Sequence, residues 1–265
     1  MSQEVWRSSP PDCRPAGSRA ELEAAYRIVY RCYVECGYIE KDPSGMRVTV
    51  FNALPDTTTF TCVLRGEVVS TATVVADSPA GLPVDQIYRT EVDELRRQGR
   101  KPVEAIMLAD RRHSLARTKR TVSLLMKRTL DLAMFVLQAD DMVITINPRH
   151  DVYYFRRLLF EPIGEPKAHP SVQDNPALGK RLDLRTIEAR CAVPENEWQH
   201  RLFFENRTPV SELRRSYHMT PDDLRYFFID RTDTFRQAPK RVMDYLRKVR
   251  PDCPWAEWGF PGESD

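Results

Sequence analysis

The sequence predicts an α/β fold in which a mixed sheet has flanking helices and is followed by a helical extension. Two Thr- and Val-rich runs, 57–65 and 68–77, flank a Gly-Glu pair and indicate a β-hairpin. Two apolar runs, 103–110 and 142–147, have the length of buried strands and are separated by a helical pattern. A hairpin followed by strand, helix, strand and helix gives a sheet whose strands run in both directions.

Capping signals and apolar spacing predict the other elements. Ser18 and Glu21 have the spacing of a capping box, and apolar residues at three- and four-residue steps predict a helix that continues to Gly37. Further helices are predicted at 84–98, 121–139 and 151–160, a strand at 177–184, and extension helices at 195–206, 209–217, 221–229 and 239–249. The predicted domains are a flexible leader (1–17), a main domain (18–184) and a helical extension (185–265).

Composition and charge describe a globular chain. The 265 residues carry 40 Lys and Arg against 38 Asp and Glu, and 42% are apolar, which excludes a disordered or collagen-like protein. No run reaches the roughly 18 apolar residues of a membrane helix, and we see no pattern of a secretion signal. The six cysteines form no CxxC pair, so we expect reduced thiols and a cytoplasmic location.

Several kinds of chemistry lack their motifs. The sequence has no GxxxxGK[ST], GxGxxG, HExxH or GxSxG pattern. The five histidines are dispersed without metal-ligand spacing, and the C-terminal helices show no basic recognition helix. We therefore expect no metal, no tightly bound cofactor and no nucleic-acid partner.

A cation-rich segment indicates an anionic partner. Residues 111–128 contain seven Lys and Arg and no acid, which favours a local negatively charged ligand over general attraction. A solvated helix face is the alternative explanation of such a run.

The segment from Asn147 to Gly164 resembles the last strand–helix–strand unit of the GNAT acyltransferase fold, with Tyr154 at that fold's helix tyrosine. Four other stretches, at 30–39, 55–60, 77–85 and 91–96, resemble the long-chain N-acyl amino acid synthases of the FeeM type. These are GNAT-fold relatives of the acyl-homoserine lactone synthases. The resemblance covers about residues 20–184, and Asp-Ser-Pro-x-Gly-Leu-Pro at 77–83 is its most distinctive part.

The resemblance implies transfer of a fatty acyl group from acyl carrier protein to the α-amine of an amino acid, with the carrier's acyl-phosphopantetheine as donor. The lactone synthases carry Asp-x-x-Asp and Glu-x-x-Arg, where this chain has Asp56-Thr-Thr-Thr59 and Glu104-Ala-Ile-Met107. The missing second Asp and Arg disfavour S-adenosylmethionine and favour an amino acid acceptor. Two alternatives stay open: a CoA-dependent N-acetyltransferase acting on a small amine, and a non-catalytic module that binds acyl chains or the carrier.

The resemblance also suggests catalytic roles. Glu104 is the one acid in the interior of an otherwise apolar strand that ends at Asp110, and desolvation there raises its pKa toward that of a useful base. A structural ion pair with Arg is the alternative. Backbone N–H groups of Met107 and Leu108 are expected to face the thioester carbonyl. Tyr154 is placed to donate to the departing sulfur, unless it is only a packed aromatic residue.

Binding residues are predicted for donor and acceptor. Thr118, Arg120 and Thr121, at the start of a helix, and Asn147, at the end of a strand, are expected to hold the thioester and its pantetheine phosphate. Predicted contacts with the acidic carrier are Arg111, Arg112, Arg117 and Lys119. Arg27 and Arg31 are predicted to bind the acceptor carboxylate, with a solvated surface position as the alternative for each. The extension is expected to cover the acyl tunnel or to mediate self-association.

Overall fold

A mixed sheet forms the centre of the protein. The computed structural model describes residues 11–112 and 115–261, with the backbone alone for 115–120. The strands are β1 (Asp12–Pro15), β2 (Thr58–Leu64), β3 (Glu67–Ala76), β4 (Pro102–Asp110), β5 (Asp141–Ile146), β6 (Glu161–Pro162), β7 (Lys167–His169) and β8 (Asn175–Asp183). Their order is β1-β2-β3-β4-β5-β8-β6, and β7 pairs with β8. Among these strands β4 and β5 are parallel and every other pair is antiparallel.

Helices cover both faces of the sheet and make up the extension. In the described part of the chain they are α1 (Arg19–Glu35), α2 (Asp85–Arg97), α3 (Leu115–Phe135), α4 (Asp151–Leu158), α5 (Ile187–Cys191), α6 (Glu197–Phe204), α7 (Val210–Leu213), α8 (Pro221–Arg225), α9 (Thr234–Gln237) and α10 (Lys240–Val249). A π-helical turn (Tyr226–Asp230) follows α8. The predicted mixed α/β fold with a helical extension is confirmed.

Side chains that alternate along the strands form two apolar layers, one on each face of the sheet. On β3, Val74 belongs to the apolar cluster that includes Leu125 of α3, whereas its neighbour Val75 belongs to the cluster that includes Val92 of α2. On β4, Val103 packs in the α3 cluster. Successive side chains of a strand point to opposite faces, so Glu104 faces the layer of α1 and α2.

The N-terminal part of the chain contributes an edge strand. Residues 12–15, predicted to belong to a flexible leader, form β1 and pair with β2. Arg14 donates to both carboxylate oxygens of Glu21, at 2.8 and 2.7 Å. Ser18 caps α1 by accepting from the Glu21 N–H at 3.2 Å, but the Glu21 carboxylate accepts from the Gly17 N–H. The predicted capping box is therefore half formed, because Glu21 joins β1 to α1.

The expectation that every cysteine is a reduced thiol is wrong for two of the six cysteines. Cys13 and Cys62 lie directly opposite each other on β1 and β2 and are joined by a disulfide. The remaining cysteines are free. This pairing was not predicted, because the sequence pattern does not indicate the strand that brings Cys13 to Cys62. The cysteines therefore no longer support a cytoplasmic location, which stays a prediction.

The extension shares a core with the first helix. Phe227 is fully buried, and its ring meets that of Tyr26 on α1 edge to face at 5.3 Å between centroids. At a second anchor, Asp131 on α3 accepts from the Lys127 ammonium at 2.6 Å and from the Thr208 hydroxyl at 2.6 Å. Apolar burial and a paired, hydrogen-bonded buried charge both hold the extension against the main domain.

Replacing Phe227 with Ala tests this shared core. Loss of a fully buried ring is expected to lower the free energy of unfolding by about 3–5 kcal/mol, measured by urea denaturation, with one transition for the whole chain. The control is Phe155→Ala, because Phe155 is 52% exposed and its loss is expected to cost less than about 0.5 kcal/mol. A separate early transition that carries the whole effect would show that the extension folds independently.

Candidate active site

A cavity of about 730 Å³ opens on the α1–α2 side of the sheet. Its walls come from α1, the 47–51 segment, the loop before α2, strands β4 and β5, the β7 turn and the extension. Representative lining residues are Tyr33, Arg47, Leu82, Asp85, Arg89, Glu104, Ile106, Met107, Thr145, His169, Ala238, Arg241 and Val242. Of the residues predicted to act in the site, Glu104 and Met107 line this cavity.

Glu104 is a buried carboxylate without a cationic partner in the described residues. Only 2% of it is exposed, and its Oε2 accepts a hydrogen bond from the Val84 N–H at 2.6 Å. Burial raises the pKa of Glu104 to about 8, with a smaller contribution from the negative charge of Asp85, while the Val84 N–H and the Thr145 hydroxyl act in the opposite direction. The alternative of a structural ion pair with Arg is wrong for the part of the chain that the structure describes.

The loop that carries Val84 is held by a network of ion pairs. Arg96 on α2 binds Asp77 at 2.7 Å and Asp85 at 3.0 Å, one acid at each end of the loop. Asp85 also accepts from the Leu82 N–H at 3.0 Å. Gly81 has φ +77°, and a Cβ there would lie 2.3 Å from an Asp85 carboxylate oxygen, so only glycine fits. The network thereby fixes the N–H donor that contacts Glu104.

Strand β4 is distorted just beyond Glu104. Its parallel pairing with β5 ends at Glu104, opposite Val143. The register with β3 shifts between Thr71 and Thr73, and Met107 has φ 54°, a left-handed value that is uncommon for a residue other than glycine. A bulge leaves backbone groups unpaired. The pairing between the two parallel strands therefore ends before Met107, and the role of the Met107 and Leu108 N–H groups stays a prediction.

Two cavity residues were not predicted from the sequence. Arg47 donates to the Ser171 carbonyl oxygen at 3.1 Å, forms no ion pair with an acid of the described residues, and has a pKa lowered by burial. His169 has its pKa lowered by burial and by the charge of Arg47, so its imidazole is neutral at pH 7. Its Nδ1 is buried with no hydrogen-bond partner within 11–112 and 115–261. An unpaired guanidinium in a cavity is a receptor for a carboxylate.

The predicted acceptor-binding arginines lie elsewhere. Arg27 forms an ion pair with Glu23 one helical turn away, at 2.7 Å. Arg31 is exposed on α1, and neither residue lines the cavity. The expectation that they grip the acceptor carboxylate is therefore not supported by their positions. Sequence reasoning missed Arg47 because it lies in an irregular segment without a periodic pattern.

Tyr154 is packed rather than exposed in the cavity. It is 8% exposed and makes edge-to-face contacts with Tyr153 and Phe160. Burial raises its pKa, so the phenol keeps its proton and is suited to donating a hydrogen bond rather than a proton. Tyr33 lines the cavity, and burial raises its pKa as well.

Two of the predicted carrier contacts have partners within the chain. Arg111 pairs with Glu67, and Arg112 pairs with Asp110 and contacts the Thr121 hydroxyl. The side chains of Arg117, Thr118, Lys119 and Arg120 lie outside the described residues. The role of Arg112 is thus to join the end of β4 to α3, because its guanidinium is mostly buried between them.

The predicted phosphate site shifts along the chain. Helix α3 begins at Leu115, six residues before the predicted start, because the intervening Leu, Ala, Arg and Lys are strong helix formers. The first four N–H groups of a helix lack partners within it, so the free donors belong to residues 115–118 and not to Thr121. Leu108 packs against the α3 cluster. The Asn147 side chain accepts from the Arg149 N–H at 3.1 Å and caps the turn after β5.

Sheet, bulge and buried carboxylate together define a GNAT-like acyltransferase, and solved structures agree. FeeM, an N-acyl amino acid synthase from uncultured soil microbes, is 28% identical and has a TM-score of 0.60, over 69% of this chain and 95% of its own. TofI, solved in a ternary complex with an inhibitor and MTA, is 16% identical with a TM-score of 0.50, over 66% of this chain and 92% of its own. At this identity the likeness to TofI shows the fold alone.

The family model described as N-acyl amino acid synthase FeeM matches residues 24–183. The chain belongs to this family and is an N-acyltransferase. Among curated protein sequences none matches it. In the described residues no helix is long and apolar enough to cross a membrane, and no cluster of His, Cys, Asp and Glu could hold a metal ion.

The raised pKa of Glu104 predicts a pH-dependent effect of Glu104→Gln on stability. Between the unfolded value of 4.5 and the folded value of about 8, the folded protein keeps a proton that the unfolded chain releases. The stability of the wild type therefore falls as the pH rises through this window. Gln is neutral throughout, so we expect little change in Tm at pH 5 and a gain of at least about 3 °C at pH 9.

The control for this experiment is Glu94→Gln on the exposed side of α2, where the side chain is 45% exposed. Its difference in Tm from the wild type is expected to stay small between pH 5 and 9. A constant difference between Glu104→Gln and the wild type over the same range would contradict the raised pKa.

Proposed function

We propose that this chain transfers a long-chain fatty acyl group from a thioester on acyl carrier protein to the α-amine of an amino acid, giving an N-acyl amino acid. The observation that carries the proposal is the buried Glu104 carboxylate, with its pKa of about 8, in the wall of the cavity. A base with this pKa accepts a proton near neutral pH and is matched to α-amino groups.

The reaction needs a base for the acceptor amine and hydrogen-bond donors for the oxyanion. Glu104 takes a proton from the ammonium group, and the freed amine attacks the thioester carbonyl. The C–N bond forms and the C–S bond breaks as the nitrogen loses a second proton. The leaving thiolate takes one of the two protons, and the other is released to solvent. N–H groups freed by the bulge at Met107 stabilise the oxyanion of the intermediate. The role of Tyr154 as a hydrogen-bond donor to the sulfur stays a prediction, because this residue is packed beside Tyr153 and Phe160 and does not line the cavity.

The acceptor carboxylate is assigned to Arg47. This residue lines the same cavity as Glu104 and has no acid partner among the residues that the structure describes. Burial lowers its pKa, which means that its charge lacks full solvation and gains from an anion brought by a ligand. The amine and the carboxylate of one amino acid would thus contact Glu104 and Arg47.

The carrier donor is supported by the cation-rich start of α3. Helix α3 begins five residues after the end of β4, and Arg117, Lys119 and Arg120 lie in its first turns. Free N–H groups and the positive end of the helix dipole favour a phosphate there. A CoA thioester also carries phosphate, so the donor is settled by comparing the same acyl chain on acyl carrier protein and on CoA.

Glu104→Gln tests the base. With purified enzyme, dodecanoyl-carrier and a mixture of amino acids, we expect the wild type to form N-dodecanoyl amino acids, measured by mass spectrometry. Its kcat/KM should rise with pH and level off above about 8, since the carboxylate must be ionised. Glu104→Gln should lose at least about 100-fold of this activity and the pH dependence, whereas Glu94→Gln should keep both. Full activity of Glu104→Gln would refute the role.

Arg47→Met tests the carboxylate site. Loss of a charge-assisted hydrogen bond is expected to raise the KM for the amino acid about 10- to 100-fold, with the KM for the acyl donor unchanged and with partial recovery in Arg47→Lys. The matched controls Arg27→Met and Arg31→Met should resemble the wild type. An unchanged KM in Arg47→Met, or an equal rise in the controls, would show that Arg47 does not bind the acceptor.

A further inference from the structure

The C-terminal extension supplies one wall of the cavity that holds Glu104. The wall residues are Thr234, Gln237, Ala238, Pro239, Arg241 and Val242. They lie in α9, in the turn after it and at the start of α10. The active-site cavity is therefore incomplete without a part of the chain that lies far from the catalytic strand in sequence.

This wall is held in place from behind. Phe235 is buried and stacks on Phe228 at 4.9 Å between ring centroids. Val242 and Leu246 of α10 are buried in the cluster that also contains Met46 and Val48. A wall fixed by packing presents a defined shape to a ligand, which is what discrimination between similar side chains requires.

The wall also adjoins the loop that positions the base. The Arg241 guanidinium lies 3.7 Å from the Asp85 carboxylate, and a Cβ at Gly81 would meet it at 2.5 Å. Val84, between these two loop residues, donates its N–H to Glu104. The acceptor amine must contact Glu104, so the acceptor side chain has to project into the space beside this loop.

The wall lies outside the region shared with the family. The family match ends at residue 183, and the alignment with FeeM uses 95% of the FeeM chain but only 69% of this one. Glu104 and Met107 lie inside the matched region and the wall residues lie after it. The catalytic strand thus lies inside the region that the family model matches, whereas this wall lies beyond it.

We propose that residues 234–242 form the acceptor-selecting wall, which decides which amino acid side chain fits beside Glu104. The inference rests on the proposed function. Arg89 and Arg241 line the same space and are paired with Asp93 and Asp85, so the wall selects the acceptor by the size of its side chain. The distance from Ala238 to the bound amino acid limits that size.

Ala238→Phe places a large side chain on this wall and therefore tests its role. Ala238 is half-buried with φ −72° and ψ 143°, a conformation that Phe adopts without strain. The matched control is Ala256→Phe, at an exposed position of the same extension outside the cavity. The full-length proteins receive one acyl donor and an equimolar mixture of glycine, serine, leucine, phenylalanine, glutamate and lysine, and products are quantified by mass spectrometry.

Ala238→Phe should reduce kcat/KM for leucine and phenylalanine, relative to glycine, at least about tenfold, and Ala256→Phe should keep the profile of the wild type. An unchanged profile or a uniform fall for all acceptors overturns the inference. A changed preference for acyl chain length with an unchanged acceptor profile also overturns it, because the wall would then contact the donor.

A binding measurement keeps this test separate from the proposed function. Calorimetric titration with N-dodecanoyl-glycine and N-dodecanoyl-phenylalanine needs no turnover, and Ala238→Phe should weaken binding of the phenylalanine product at least about tenfold more than that of the glycine product. A wild type that forms no amide and binds neither product refutes the proposed function and with it the inference. A wild type that forms amides, beside an Ala238→Phe variant with the same preferences, refutes the inference alone.

Discussion

The burial of one carboxylate constrains most of the structure around the active site. Glu104 lies in the middle of the sheet, and within the described residues its hydrogen bond from a backbone N–H comes from Val84. That donor must be held at 2.6 Å by a loop, and the loop is held by Arg96 between Asp77 and Asp85. The Asp-Ser-Pro-Ala-Gly-Leu-Pro sequence at 77–83 therefore has a physical purpose, since it shapes the loop that places the Val84 N–H on the buried Glu104 carboxylate.

The value of the Glu104 pKa reflects opposing influences. Desolvation favours the neutral acid, while the Val84 N–H and the Thr145 hydroxyl favour the carboxylate, and the balance lies at about 8. An arginine in direct contact would hold the pKa low and leave a carboxylate too weak to take a proton at neutral pH. Arg96 is instead bound to Asp77 and Asp85, one step away from Glu104, where it organises the loop without neutralising the base.

The sequence predicted those features that arise from local pattern or from one strand's composition. The mixed sheet, the hairpin and Glu104 were predictable, because strand periodicity and a lone acid in an apolar strand are visible in the residues themselves. β1 was missed, because an edge strand of four residues leaves no periodic pattern and its partner β2 is distant in the chain. Arg47 and His169 were missed for the same reason: they lie in irregular segments, and only the tertiary fold brings them to Glu104. Arg27 and Arg31 can bind a carboxylate, but they do not line the cavity that contains Glu104.

The main domain and the extension are separate segments of the chain, but they share one apolar core. Phe227 and Leu246 of the extension are buried in the same cluster as Tyr26 of α1 and Met46 of the segment beside Arg47. Deleting the extension would therefore expose the apolar face of α1 and disturb the segment that carries Arg47, in addition to removing a wall of the cavity. A loss of activity after such a deletion could not distinguish unfolding from a lost substrate contact. Single substitutions in the wall, which leave Phe227 and Leu246 in place, separate the two effects, because the shared core depends on buried rings and the acceptor space depends on small residues such as Ala238.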